Sequence, residues 1–163
     1  MADPDFNPQS PIDRHLWMSR HGGGLQEEGH LLDDDFSRLQ AEGIVLPEGL
    51  AWQLDFSDNQ LLLAAQGRLE LPCSRCLQPV TVPIGFARRY QVFDRSDQAD
   101  GSLDVSDDDL ETVSTEDRVS PVHLIEDELL LLAAERPTHG DCAIELPQQP
   151  RPDNPFAILA KLK

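Results

Sequence analysis

Basic residues are scarce in this chain of 163 residues: 13 Lys and Arg stand against 30 Asp and Glu, a formal net charge of −17 at pH 7. A surface so negative repels phosphate backbones over a Debye length, which excludes broad nucleic-acid binding. It favours basic partners such as ribosomal proteins or basic enzyme surfaces, and the same acidity also serves solubility alone. Cysteine is scarce too, with three residues. Three are too few for a secreted disulfide framework, so a reducing compartment is expected. The longest apolar run, Leu129 to Ala134, is far too short to cross a bilayer. Met1-Ala2-Asp3-Pro4-Asp5 lacks the basic region and apolar stretch of a secretory signal. A soluble, cytoplasmic protein is expected, with no membrane partner. Gly-rich phosphate loops, a nucleophile elbow and an HExxH zinc helix are all missing. An enzyme with a small-molecule substrate is therefore not expected.

What is there centres on Leu71-Pro72-Cys73-Ser74-Arg75-Cys76-Leu77-Gln78-Pro79-Val80, which places two cysteines on a tight knuckle between two strand-like segments. Far downstream, His139-Gly140-Asp141-Cys142 repeats the two-residue spacing with a histidine and the third cysteine. Alone, a CxxC is a weak indication. The four side chains Cys73, Cys76, His139 and Cys142 together make a Cys3His set, the donor chemistry of a structural zinc site. Two other readings stay open at this level. The thiols are reduced, partly buried and inert, or they form a redox pair, although no helix N-terminus adjoins them to lower a thiolate pKa.

Length suits one domain, residues 1–163, with a core that needs no disulfides. Residues 1–12 are rich in Pro and polar groups and read as a loose arm. The pattern from Ile12 to His30 is irregular and broken by Gly22-Gly23-Gly24; Asp33-Asp34-Asp35 before Phe36 and Leu39 suggests a short helix. From Leu50 the period becomes two. Leu50, Trp52, Leu54 and Phe56 alternate with polar or small residues, and Ser57-Asp58-Asn59-Gln60 reverses the chain. Leu61, Leu63, Ala65, Leu69 and Leu71 form the return face, and Val80, Val82, Ile84 and Phe86 alternate after the knuckle. The expected fold class is α+β: an antiparallel β-meander or partly closed barrel with the cysteine knuckle at one rim. Pro83 argues for an edge position or a bulge in the third strand.

Residues 94–118 read as an acidic loop, with a short strand around Glu111 to Val113. Ser120-Pro121 starts one long helix that runs to about Glu135 and buries Val122, Ile125, Leu129 and Leu132. Glu126, Asp127 and Glu128 read as a solvated surface. His15, His21 and His30 are expected to face solvent, and His123 to be structural. A short C-terminal helix, capped by Asn154 and Pro155, presents Phe156, Leu159 and Leu162 either to the rest of the chain or to a partner's groove. Arg68, Arg75, Arg88 and Arg89, with Tyr90 beside them, suggest a small basic spot near the knuckle and a weak direct contact to RNA.

Pro72-Cys73-Ser74-Arg75-Cys76-Leu77-Gln78-Pro79-Val80, then Leu124-Ile125-Glu126-Asp127-Glu128-Leu129, then Pro137-Thr138-His139 with Cys142, and last Asn154 to Lys163 occur in an order that resembles the YceD family, the large ribosomal RNA subunit accumulation proteins. The resemblance covers about Leu50 to Lys163 well and the N-terminal third loosely. It implies a non-enzymatic role in accumulation of large-subunit ribosomal RNA, and so in ribosome assembly. Joined to the charge, it makes the expected function that of an acidic adaptor for a basic ribosomal protein or large-subunit precursor. Arg75, Arg88, Arg89, Phe156, Leu159 and Leu162 are its candidate contact residues, and one Zn2+ holds the knuckle. A zinc- or thiol-dependent redox regulator is the alternative.

Overall fold

A computed structural model describes residues 5–21, 24–94, 111–135 and 137–142. Its centre is one sheet of five strands in the order β1-β2-β3-β4-β5. These are β1 (Gly24–Leu31), β2 (Leu50–Ser57), β3 (Gln60–Pro72), β4 (Pro79–Phe93) and β5 (Glu111–Ser114). The first four pair antiparallel, as the alternating pattern predicts, whereas β5 joins the end of β4 in parallel. The sheet is mixed and open, so the partly closed barrel is corrected: β1 and β5 are its two edges and do not pair.

The β2–β3 hairpin turns on Asp58 and Asn59, both left-handed at φ 49° and 62°. That geometry matches the twist of the flanking strands, and Asp and Asn tolerate it. The turn pairs Ser57 with Gln60 and Phe56 with Leu61, which aligns the two apolar rows on one face. Leu50, Leu54, Phe56, Leu61, Leu63 and Leu69 are buried there. Pro83 faces Arg68 of β3, in a stretch of β4 that β5 does not reach, so its missing N–H leaves no ladder bond unmade on the open side.

β1 is a strand that sequence periodicity does not show. Its inward positions are Leu25, Glu27, Gly29 and Leu31, of which Leu25 and Leu31 are apolar. Gly29 lies under the ring of Trp52, where an added Cβ would come within 3.1 Å of the indole. At the entrance to β2, Gly49 sits at φ 70°, and a Cβ there would meet the Leu31 carbonyl oxygen at 2.5 Å. Backbone cannot yield as a side chain can. Gly49→Ala is expected to destabilise the fold by about 2 kcal/mol or more, read from the denaturant midpoint at unchanged slope.

Among the described residues, three helices cover the apolar face: α1 (Arg14–His21), α2 (Ser37–Ala41) and α3 (Pro121–Ala133). Trp17 of α1 meets Phe56 edge-on at 5.3 Å, and Phe6 stacks near both Trp17 and Trp52. The stretch read as a loose arm thus packs from Phe6 onward, and Ile12 N–H donates to the Val119 carbonyl at 2.9 Å. Asp33 to Asp35 form a 3-10 turn ahead of α2 rather than part of it, because Asp33 and Asp35 accept from the Leu46 and Leu32 N–H groups. α3 begins as expected: Ser120 accepts from His123 N–H, and the His123 ring faces back to the Ser120 N–H.

The acidic triplet of α3 requires a correction. Glu126 and Glu128 are 3% and 4% exposed, and only Asp127 faces solvent. α3 packs against α2 and β3, and its two buried carboxylates reach out to α2 and β4. Glu126 reaches the start of α2, and Glu128 pairs with Arg88 of β4 at 3.0 Å. The residues expected in the acidic loop divide: 95–110 lie outside the described residues, and 111–117 form β5 and a 3-10 turn. The expected C-terminal helix also lies outside them. No helix among the described residues is long and apolar enough to cross a membrane.

Candidate metal centre

The β3–β4 connection is a closed knuckle because three backbone contacts lock it. Cys73 N–H donates to the Gln78 carbonyl at 2.9 Å, Leu77 N–H donates to the Cys73 carbonyl at 3.0 Å, and Pro72 lies opposite Pro79. Leu77 is forced to φ 61° and left 75% exposed. A branched side chain gains nothing there and resists the left-handed conformation. Leu77→Gly is expected to raise stability by up to about 1 kcal/mol in thermal or chemical unfolding.

The second half arrives after α3. Ser74 N–H donates to the Pro137 carbonyl at 3.1 Å, which brings residues 137–142 against the knuckle. One donor atom from each of Cys73, Cys76, His139 and Cys142 then lies within 4.8 Å of the other three. Cys73 Sγ and Cys142 Sγ are 3.6 Å apart, and Cys76 Sγ and His139 Nδ1 are 3.4 Å apart. A tetrahedron with Zn–S of about 2.3 Å and Zn–N of about 2.0 Å has edges of about 3.5–3.8 Å. Two edges of the cluster therefore already have the size a zinc ion requires.

The histidine is oriented for ligation. Its Nε2 lies 2.9 Å from the Pro79 carbonyl, an atom that can only accept, so the proton sits on Nε2. Nδ1 then carries the lone pair, on the side that faces Cys76. A metal-binding imidazole is commonly fixed by such a bond from its other nitrogen. The sulfurs are polarised as well. The Cys73 thiol is lowered to about 5, first by the Cys76 N–H and, against the cost of burial, by the Arg75 N–H. Burial and the neighbouring Cys73 push the Cys142 thiol up. A cation at the centre would displace the thiol protons, because these ligands bind deprotonated.

All four sequence-predicted ligands are brought together, and the arrangement could hold one metal ion. The arginines are not. Arg75 is on the knuckle, but Arg88 and Arg89 lie about 30 Å further along β4 and on opposite faces, opposite Leu63 and Leu62. No single basic spot forms. Phe156, Leu159 and Leu162 lie outside the described residues. Sequence reasoning missed the Pro79 carbonyl and the Ser74–Pro137 bond, which no residue type announces. It also missed the two carboxylate anchors of α3, whose only mark is charge within an apolar helix.

The family described as "Large ribosomal RNA subunit accumulation protein YceD" matches residues 61–163, a span that contains the knuckle, α3 and all four ligands. The chain belongs to this family, whose description speaks of ribosomal RNA accumulation and of no reaction. No solved structure matches the chain.

Proposed function

We propose that this protein is a non-enzymatic, cytoplasmic assembly factor of the large ribosomal subunit, which holds a basic ribosomal protein, free or within a precursor particle, against its acidic surface. One structural zinc at Cys73, Cys76, His139 and Cys142 ties the knuckle to the segment after α3. The family carries the link to large-subunit RNA. The charge of −17 carries the choice of a protein over RNA as the partner. Convergence of four donors on one point supports a metal over a two-thiol redox pair, which needs no histidine.

The described cations also favour this choice. Arg14, Arg38 and Arg88 are each paired with a carboxylate, which leaves little positive surface for a phosphate backbone. Arg75 and Arg89 make no ion pair among the described residues and remain the candidates for a weak direct contact to RNA, with Phe156, Leu159 and Leu162 as the apolar contacts to the protein partner. Depleting the protein should lower large-subunit ribosomal RNA relative to small-subunit RNA. Restoring it with an Arg75→Ala, Arg89→Ala variant should recover most of that RNA. Loss of RNA binding in that variant, with ribosomal-protein binding intact, would overturn the adaptor reading.

A further inference from the structure

A groove of about 560 Å³ opens beside the knuckle, between the end of α3 and the end of β3. Ile44, Leu71, Pro72, Leu130, Ala133 and Pro137 line it, with Glu42 among its residues. Three observations bear on its occupant. Pro137 lines the groove and Cys142 lies against Cys73 of the adjoining knuckle, so the 21 residues 143–163 start close to the groove. The twelve residues from Cys142 to Asn154 span up to about 40 Å, and a linker of this length returns its end at millimolar effective concentration. Charge also fits. The chain has two lysines in all, Lys161 and Lys163, and both are at this end of a strongly acidic protein.

We propose that residues 154–163 dock in this groove of their own chain, with Phe156, Leu159 and Leu162 inserted and the lysines near Glu42 and the carbonyl end of α3. As a helix, these ten residues span about 15 Å. Their apolar side chains recur at every third position and lie along one side of it. Lysines beside the last turn of α3 meet the negative end of its dipole. The docking does not depend on which partner the protein has. It does mean that a partner wanting Phe156, Leu159 and Leu162 must draw them out of the groove, so the tail would be exchanged rather than simply offered.

The test uses the full chain at low concentration. Nuclear Overhauser contacts are expected between the Phe156 ring and the methyl groups of Leu71 or Leu130. A mixture of differently labelled chains tells whether they arise within one molecule. The amides of 157–162 should exchange at least about tenfold more slowly than in an Ala133→Asp variant with unchanged near-ultraviolet circular dichroism. Contacts only between differently labelled chains would assign the groove to a second copy. Absent contacts, or exchange unaffected by Ala133→Asp, would overturn the proposal.

Discussion

A Cys76→Ser chain is expected to purify with no zinc where the parent carries about one per molecule, and to melt lower by on the order of 10 °C. The size follows from topology. A zinc ion held by these ligands would join residue 73 to residue 142, and a link that closes so long a loop removes much freedom from the unfolded chain. The sheet and helices have their own apolar core, so the variant should stay folded at room temperature, unlike a zinc finger. A chelator should lower the parent's melting point by the same amount and leave the variant unchanged. Elemental mass spectrometry beside thermal unfolding checks both. Equal metal content in the two chains would remove zinc from the account.

Acid should do what the chelator does, and the direction can be derived. The folded chain lowers the Cys73 thiol from an ordinary value of 9.0 to about 5. A group depressed by folding contributes stability that is full above its unfolded pKa and is lost as pH falls through the folded one. The contribution of the Cys73 thiolate should therefore be full only above about pH 9, decline as the pH falls through neutrality, and be gone near pH 5. Metal release should follow the same course, because the ligands bind deprotonated.

Glu126→Ala should be among the most damaging single changes on α3, costing about 3–5 kcal/mol. Oε1 accepts from the Arg38 N–H at 2.7 Å and the Leu39 N–H at 3.3 Å, and Oε2 accepts from Arg38 Nε at 2.9 Å. The carboxylate thus supplies from another element the cap that α2 lacks in its own sequence, since its N-cap is Phe36. Removing it strands buried N–H groups at the start of α2 next to Leu39, which is 1% exposed. The control is one residue away. Asp127 also pairs with Arg38, but its side chain is 54% exposed, so Asp127→Ala should cost less than about 1 kcal/mol. Similar losses for the two variants, measured by urea unfolding, would mean that Glu126 acts as surface charge rather than as a cap.

The contrast between these neighbours shows where sequence reading ends. Strands β2, β3 and the start of β4 are legible because their inward positions are apolar and the outward ones, Leu62 apart, are polar or small. β1 escapes because Glu27 and Gly29 occupy inward positions, and the reason for Gly29 is a ring from another strand. β5 was visible as a strand, but its parallel partner was not, since β4 supplies it from twenty residues away. Glu126 and Glu128 look alike in sequence to Asp127. Their burial depends on Arg38 and Arg88, which are 88 and 40 residues distant. The four ligands were legible because spacing encodes them directly. Grouping Arg88 and Arg89 in one basic spot overlooked that adjacent strand residues point to opposite faces.

The central claim, that an acidic surface holds a basic protein of the large-subunit precursor, is tested most directly by cross-linking in native particles. Carboxyl-to-amine coupling should join this chain to a ribosomal protein of the precursor, while ultraviolet cross-linking should yield little RNA adduct. A strong RNA adduct at Arg75 or Arg89, with no protein cross-link, would contradict the account.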